Sequence, residues 1–240
     1  MRLAVCAAVV AAMTSATDPL MLRGAAITAS RAKRAFDILF ASVSLLLSSP
    51  VWLLLAIAVK LQDGGPIFFM QDRSGLNGRV FYVRKFRSMR VDAERGGAFQ
   101  AVPGDPRITR VGRWMRATAM DELPQLWNIL VGDMSVVGPR ALRPGEIEAN
   151  GPGVLEALED VAGFGVRSSV RPGLSGVAQI YAGRNLPRRQ KFRYDRLYIR
   201  RQTFSLDVCL VMRSFWISMS GAWESRGERA RREVSTQVRK

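Results

Sequence analysis

The chain has 240 residues, enough for one sizeable core, and 36 Lys and Arg against 20 Asp and Glu give it a formal net charge of +16. This excess indicates an anionic partner: nucleic acid, an anionic membrane surface or a phosphorylated substrate. The sequence has no histidine, which excludes Ser-His-Asp and Cys-His catalysis, and its two cysteines, Cys6 and Cys209, form no CxxC pair typical of zinc sites. Chemistry is left to carboxylates, hydroxyls, Lys and Arg, and these are compatible with a divalent ion held by oxygen ligands.

Residues 1–30 have some features of a secretory signal, because Arg2 precedes a short apolar run. The run is short, and the segment after it has the features of a membrane anchor. We therefore predict a poorly ordered leader that is not cleaved, with Met13 and Met21 as alternative start sites.

The segment at 38–59, ILFASVSLLLSSPVWLLLAIAV, is 22 residues long and uncharged. As a straight helix it would measure about 33 Å, close to the hydrocarbon thickness of a bilayer, and core helices are rarely apolar all round at this length. Ser49 and Pro50 interrupt it near the middle, where proline removes a backbone hydrogen bond. Basic residues flank both ends, and a re-entrant helix-break-helix keeps both flanks in the cytoplasm. We predict this re-entrant hairpin over 31–62, with a kinked spanning helix as the alternative.

After the membrane segment, two short β runs flank Asn77 and Gly78, a strong hairpin-turn signal. The residues at 92–110 are rich in Gly, Pro and charge and predict a loop with the composition of a mobile flap. A basic helix is predicted at 110–119, and an alanine- and acid-bearing helix near Val154–Val161.

From Arg193 to Trp223, apolar and aromatic residues interrupted by arginine predict helices that lie in a membrane interface or pack on the protein core. The highly charged residues 224–240 predict a tail that faces solvent or lipid headgroups. The predicted fold is α+β and mainly helical: a re-entrant anchor, interfacial amphipathic helices and a small β-hairpin attached to one domain at 63–223.

The stretch TAMDELPQLWNIL at 118–130 places two carboxylates, Asp121 and Glu122, before a proline and an apolar run. In isolation such a pair is typical of helix capping, because carboxylates stabilise a helix N-terminus. Pro124 would then lie in the first turn of the helix, where its missing N–H is least harmful. The run predicts a helix with one apolar face, formed by Leu123, Leu126, Trp127 and Leu130.

Eight arginines lie near this pair or in other turn-rich segments. A single arginine is usually a solvated surface residue, whereas several in the turns of a membrane-bound chain favour a phosphate-bearing ligand. Their charge would keep nearby carboxylates ionised, as a nucleophile or a metal ligand requires. The eight are Arg107, Arg110, Arg113, Arg116, Arg140, Arg143, Arg171 and Arg184.

Three long motifs, in this order, resemble the bacterial sugar transferases, also known as polyprenyl-phosphate sugar-1-phosphate transferases or monotopic phosphoglycosyl transferases. They run from KRAFDILF to RKFRSM at 33–89, from DPRITRVG to SVVGPR at 105–140, and as VRPGLSGVAQIYAGRN at 170–185. The resemblance implies transfer of a sugar-1-phosphate from a UDP-sugar to undecaprenyl phosphate by a catalytic domain at 63–223. It places the protein at the cytoplasmic face of the bacterial inner membrane, in exopolysaccharide, capsule, lipopolysaccharide or glycoconjugate synthesis. Membrane lipids and other glycan-assembly enzymes are the further partners that it suggests.

The same resemblance implies a two-step reaction. Asp121 attacks the sugar-bearing phosphate, releasing UMP and forming a phosphosugar-aspartate that polyprenyl phosphate then attacks. Mg²⁺, with Asp121 as a ligand, would neutralise the diphosphate, and Glu122 would support the dyad. The motifs also match phosphate-binding positions at Lys85, Arg116, Arg140 and Arg184, supporting acidic positions at Asp195 and Asp207, and the helix-breaking pair Ser49 and Pro50.

Two positions depart from the family pattern without removing a charge or a nucleophile. Ala119 and Met120 stand where Ser/Thr-Leu is common, and Ala141 stands where Pro follows the Gly-Pro-Arg turn. Larger relatives carry a multi-helix membrane domain ahead of this region, so we expect the small, catalytic-domain-only type. The alternative is a membrane-tethered basic binding or scaffold protein without catalysis. No nucleic-acid-binding motif is present, and nucleic acid is not an expected partner.

Overall fold

The structure is a computed structural model that describes residues 18–93, 95, 101–102, 104–149, 155–183 and 186–223. The start of the predicted leader, part of the predicted flap, Arg184 and the charged tail therefore lie outside the described residues. The described residues form eight helices and six short strands, and the predicted mainly helical fold with small sheets is confirmed.

Helix α1 (Pro19–Ala29) lies within the predicted leader. The Asp18 side chain accepts the N–H of Leu20 at 2.8 Å and caps the helix, and Pro19 occupies the first turn. Ile27 is buried in the core, and the Arg23 Nε donates to the Ile199 carbonyl at 2.7 Å. These contacts attach this part of the predicted leader to the core.

Helix α2 (Arg31–Asp63) is the long apolar helix that the sequence predicts, and Pro50 lies inside it. Among the described residues it is the one helix long and apolar enough to cross a membrane. Its buried positions, spread over both halves, are Asp37, Ala41, Leu55 and Val59. Around the proline the outer face is exposed, at Leu46, Leu47, Leu53 and Leu54.

Both ends of α2 are bound to the same domain. Near the N-terminal end, Arg34 donates to the carbonyls of Ile129 and Leu130, each at 2.6 Å. At the C-terminal end, Asp63 forms an ion pair with Arg87. The apolar helix is therefore attached at its two ends, with its middle left exposed on one side.

Strands β1 (Phe68–Ser74) and β2 (Val80–Phe86) form the predicted antiparallel hairpin. In its turn, Asn77 (φ 53°) and Gly78 (φ 78°) adopt the left-handed backbone that favours Asn and Gly. Because the register pairs Phe69 with Lys85 and Arg73 with Phe81, the side chains of Arg73 and Lys85 lie on one face of the hairpin.

Helix α3 (Arg110–Thr118), a 3₁₀ turn (Met120–Glu122) and helix α4 (Gln125–Val131) follow in close succession. The two predicted helices are confirmed, but the carboxylates do not cap α4, which begins after Pro124 without a side-chain cap. The predicted apolar face is divided, since Leu126 is buried, Leu123 and Leu130 are half-buried, and Trp127 is 49% exposed.

The remaining sheets are small. Strand β3 (Ser135–Val137) pairs in parallel with β6 (Gly173–Ser175), and a Cβ at Gly173 would fall 2.0 Å from the Gly138 nitrogen, so only glycine permits this approach. Strand β4 (Ile147–Ala149) pairs antiparallel with β5 (Leu155–Ala157). The helix predicted near Val154–Val161 is therefore wrong, because pairing with β4 outweighs the helical propensity of its Ala and Glu residues.

The last helices enclose the core on which the site rests. Helices α7 (Arg188–Arg201) and α8 (Phe204–Met219) confirm the helical prediction for the C-terminal region, and short helices α5 (Phe164–Ser168) and α6 (Val177–Tyr181) precede them. The core beneath β3 and β6 is built from Val136, Val137, Val170, Ile180, Tyr198, Ile199 and Leu210.

Candidate active site

Asp121 and Glu122 lie in the 3₁₀ turn between α3 and α4, on the wall of a cavity of about 1870 Å³. Ala119, with a left-handed φ of 56°, ends α3 and redirects the chain into this turn. Asp121 is 7% exposed. The turn thus presents the two carboxylates to the cavity instead of to the N-terminus of α4.

Glu122 is held by two cations. Its Oε1 lies 2.7 Å from the Lys85 Nζ and 3.3 Å from the Arg140 Nη2. Burial opposes ionisation of Glu122, but the charges of Lys85 and Arg140 outweigh it and lower the pKa of this carboxyl far below its usual range. Glu122 is therefore a fixed anion that orients Lys85 and Arg140 beside Asp121.

Asp121 is in the opposite situation. No described residue hydrogen-bonds its carboxylate, although Lys85, Arg116 and Arg140 lie close enough to act on its charge. Burial, aided by the neighbouring Glu122 anion, raises the pKa of Asp121 to about 6 despite those cations. A carboxylate with unoccupied lone pairs beside three cations suits attack on a phosphate or coordination of a metal ion.

The structure brings together three of the four predicted phosphate-binding residues, Lys85, Arg116 and Arg140, on the cavity wall with Asp121. The fourth, Arg184, lies outside the described residues.

Further cations that the motifs did not identify as site residues also line the cavity. The alternation of the hairpin could have identified the first of them, because it places that residue on the face of Lys85. The others depend on tertiary packing. They include Arg73, Arg188 and Lys191, and Arg143, one of the eight arginines noted in the sequence, lines the cavity as well.

Asp195 lines the cavity, but its carboxylate forms an ion pair with a neighbouring arginine. Its Oδ2 accepts from the Arg167 Nε at 2.9 Å, and the Arg167 Nη2 donates to the Arg140 carbonyl at 2.5 Å. Asp195 therefore acts on the site through the position of Arg140.

Asp207 does not line the cavity. Its carboxylate accepts from Lys33 at 2.9 Å, the Tyr198 hydroxyl at 2.9 Å and the Gln202 amide at 3.0 Å. These bonds join α2, α7 and the start of α8, so the structure gives Asp207 a place in the scaffold.

Arg171, one of the eight arginines noted in the sequence, is also structural. Its Nε donates to the Gly132 carbonyl at 2.9 Å and its Nη1 to the Thr28 carbonyl at 3.1 Å, which satisfies backbone oxygens at the ends of α4 and α1.

One side of the cavity is apolar. Helix α2 contributes Phe36, Leu39, Phe40 and Val43, and α8 contributes Val211, Met212 and Phe215. The same cavity therefore offers a cationic floor around Asp121 and an apolar wall that continues onto the exposed surface of two helices.

The residues at the site fit one Mg²⁺ ion for which the substrate supplies several of the oxygen ligands. The described residues contain no group of three or more potential Asp, Glu, His or Cys ligands, so an all-protein cage is not present there. Mg²⁺ commonly binds one or two carboxylates together with substrate phosphates and water. Asp121 offers such a carboxylate, since no described residue hydrogen-bonds it.

Residues 28–221 match the family described as bacterial sugar transferase. The chain is 45% identical over 188 residues to an undecaprenyl-phosphate glucose phosphotransferase from Komagataeibacter xylinus, covering 75% of this chain and 34% of that relative. It is 38% identical over 192 residues to a UDP-N-acetylgalactosamine-undecaprenyl-phosphate N-acetylgalactosaminephosphotransferase from Aeromonas hydrophila, covering 79% and 44%.

A shorter relative is matched over most of its length. The exopolysaccharide production protein ExoY from Rhizobium meliloti is 38% identical over 198 residues, which cover 76% of this chain and 83% of that protein. The chain spans less than half the length of the two relatives named above. The chain belongs to the bacterial sugar transferase family.

Proposed function

We propose that this protein transfers a sugar-1-phosphate from a UDP-sugar to undecaprenyl phosphate and releases UMP. The observation that carries the proposal is Asp121, a carboxylate not hydrogen-bonded by any described residue, in a cation-lined cavity of a bacterial sugar transferase. The names of the similar relatives supply the substrate class, and they include both glucose and N-acetylgalactosamine. The proposal therefore names a UDP-sugar as the donor and does not specify which sugar it carries.

In the proposed reaction, Asp121 attacks the sugar-bearing phosphorus and forms a phosphosugar-aspartate while UMP leaves. Lys85, Arg116 and Arg140 hold the phosphate oxygens, and Glu122 keeps Lys85 and Arg140 in place. Polyprenyl phosphate then attacks the same phosphorus and frees Asp121. Mg²⁺ bound at Asp121 would supply further neutralisation of the diphosphate charge.

The apolar wall of the cavity supports a lipid acceptor. A polyprenyl chain is insoluble in water, and Phe36, Phe40 and Phe215 line the cavity that contains Asp121. The exposed Leu46 and Leu47 of α2 would extend into the acyl region. A phosphate at the polar floor and a lipid tail along the wall could thus be held at once.

We also propose that α2 is re-entrant and that the domain faces the cytoplasm of the bacterial inner membrane. Two observations support this topology: both ends of α2 are bound to the same domain, and its exposed middle contains Ser49 and Pro50. Cysteines introduced as Ala32→Cys and Gln62→Cys, in a chain with Cys6 and Cys209 replaced by Ser, should both react with a reagent confined to the cytoplasmic side. Labelling from opposite sides would contradict the hairpin.

The function is tested by UMP release. Purified protein, Mg²⁺, undecaprenyl phosphate and a panel headed by UDP-glucose and UDP-N-acetylgalactosamine should give acceptor-dependent release of UMP with one or a few sugars. Asp121→Asn should abolish this release, with Asp133→Asn, a half-exposed carboxylate outside the cavity lining, as the control. Release at the wild-type rate by Asp121→Asn would contradict the proposal, and binding without turnover would favour a tethered binding protein.

A further inference from the structure

Trp52 lies two residues after Pro50 in α2. Its side chain is half-buried, whereas the next two residues, Leu53 and Leu54, are 64% and 67% exposed. A tryptophan side chain offers a large apolar ring and one N–H donor. Trp52 uses the ring and the N–H on two different parts of the molecule.

The indole N–H binds back across the proline. The Trp52 Nε1 donates to the Ser48 Oγ at 3.1 Å, one turn earlier in α2. Proline has no N–H to bond the Leu46 carbonyl, and the Ser49 Oγ donates to that carbonyl instead, at 2.8 Å. Side chains thus replace the missing backbone bond, and Trp52 joins the two sides of Pro50.

The indole ring packs against the β-hairpin. Its centroid lies 5.3 Å from the Phe86 ring, with an angle of 73° between the planes, and 6.1 Å from the Phe68 ring. Phe68 and Phe86 are paired across the two strands, and their rings are stacked at 5.3 Å. Edge-to-face and offset-stacked rings at such separations attract each other. Three rings therefore join α2 to the hairpin.

This group of rings supports the strand that carries Lys85. Phe86 follows Lys85 directly, so the two side chains point to opposite faces of β2. Phe86 is 1% exposed and belongs to one buried cluster with Leu55 of α2 and Met115 of α3. On the other face, the Lys85 Nζ lies 2.7 Å from the Glu122 Oε1. A displacement of Phe86 would therefore move Lys85 relative to Glu122.

A second attachment holds the far end of α2. Asp63 forms an ion pair with Arg87, which follows Phe86 directly in the chain. Asp63 is the last residue of the helix and lies about 16 Å from Trp52 along the helix axis, at the usual rise per residue. Close to Pro50, the ring contacts of Trp52 hold the helix on the hairpin.

We propose that Trp52 is a positioning residue: by joining α2 to the hairpin beside Pro50, it holds Lys85 in place against Glu122. This inference rests on the proposed function and adds to it a residue that links the apolar helix to the phosphate-binding lysine. Loss of the ring should leave Lys85 in the cavity but let it move, which weakens its hold on a diphosphate.

The first test measures the link itself and needs no activity. Spin labels on Leu46→Cys and Tyr82→Cys, two exposed positions, report the distance between α2 and the hairpin in lipid nanodiscs. The labelled chain has Cys6 and Cys209 replaced by Ser. Pulsed electron-electron double resonance should give a narrow distance distribution in this parent and a broader one after Trp52→Leu. An unchanged distribution would overturn the proposal.

The second test measures turnover of the UDP-sugar. Trp52→Leu should lower kcat/KM by about 10-fold, because small displacements of a positioned group are costly. Trp52→Phe, which keeps an aromatic ring, should restore most of the activity, and Ser48→Ala, which removes only the hydrogen-bond acceptor, should cost about 2-fold. Trp216→Leu is the matched control, because Trp216 is 73% exposed on α8 and lies outside the cavity lining. It should keep the label distances and the rate of the parent.

Dependence on Lys85 separates positioning from general damage. Lys85→Gln is combined with Trp52→Leu, and the affinity for UDP, which carries no sugar to transfer, is measured for the parent, both single variants and the double variant. Trp52→Leu should weaken UDP binding by about 5-fold with Lys85 present but by less than about 2-fold once Lys85 is replaced, because coupled residues are not additive. Equal weakening in both backgrounds would overturn the proposal and leave Trp52 a role in stability alone.

Phe68→Leu replaces Trp52→Leu if the latter fails to fold. It removes the ring on the hairpin side of the same contact and should broaden the same distance distribution. Absence of UMP release with every UDP-sugar would overturn the proposed function instead, while the label distances still decide whether Trp52 holds the hairpin.

Discussion

Asp121 and Asp207 are both buried, with 7% and 1% of each residue exposed, but their carboxylates have different surroundings. Asp207 accepts hydrogen bonds from Lys33, Tyr198 and Gln202, which satisfy it inside the scaffold. No described residue hydrogen-bonds Asp121, whose neighbouring cations are oriented by Glu122. The difference shows that burial of a carboxylate does not indicate chemistry. The unused acceptor capacity of Asp121, beside a cavity, is what makes it the candidate for the proposed chemistry.

The largest expected effect is a loss of activity on substitution of Asp121, which substitution of Asp207 should not cause. Asp121→Asn should lower turnover by about 10³-fold or more, because an amide is a poor nucleophile, while the melting temperature stays within a few degrees of wild type. UMP release and thermal unfolding on the same preparation check both parts. A large loss of stability in Asp121→Asn would remove the contrast with Asp207.

The second effect is on stability. Asp207→Asn leaves the buried Lys33 ammonium without its carboxylate, and breaking such a pair costs about 3 kcal/mol. For a domain of this size we expect a melting temperature lower by roughly 6–12 °C. The folded fraction, assayed well below the transition, should keep near-wild-type kcat. A folded but inactive Asp207→Asn would instead place Asp207 in the chemistry.

Asp195 should behave as an intermediate case. Asp195→Asn loosens Arg167, which donates to the Arg140 carbonyl, and so displaces a cation of the site without removing the nucleophile. We expect a decrease of about 10-fold in kcat/KM, carried mainly by KM. Steady-state kinetics with varied UDP-sugar check this, and Asp160→Asn, an exposed carboxylate outside the cavity lining, is the control. An unchanged KM would contradict the claim that Asp195 acts on the site through the position of Arg140.

The smallest expected effect is a displacement in pH. Because the pKa of Asp121 is raised to about 6, its nucleophilic form is lost on acidification, and kcat/KM should fall about tenfold per pH unit below that value. Glu122→Gln removes a negative charge that raises this pKa and frees Lys85 and Arg140 to lower it. The acid limb of the pH profile should therefore move to lower pH. If the acid limb does not move, or moves to higher pH, the assignment of this limb to Asp121 is contradicted.

Local patterns predicted local structure well. The Asn77-Gly78 signal gave the hairpin, and apolar periodicity gave the long helix and the two C-terminal helices. The prediction of a helix was wrong at Leu155–Ala157, because this segment pairs with Ile147–Ala149 as a strand. The sequence does not show that these two segments are adjacent.

The motifs predicted which residues lie together, while the roles of those residues stay predictions. Asp121, Glu122, Lys85 and Arg140 meet in one cavity as expected. A motif does not reveal partners, however. It could not show that Arg171 binds backbone carbonyls, that Asp207 is satisfied by three donors, or that Arg73 lacks an anionic partner among the described residues.

The central claim is that Asp121 becomes covalently attached to the phosphosugar, and intermediate trapping tests it most directly. Wild-type protein is incubated with Mg²⁺ and the UDP-sugar that supports turnover, without lipid acceptor, then quenched and digested for mass spectrometry. We expect a sugar-phosphate adduct on Asp121 that disappears when polyprenyl phosphate is added before quenching. Adduct-free Asp121 in protein that releases UMP rapidly only in the presence of lipid would contradict the claim and indicate direct transfer.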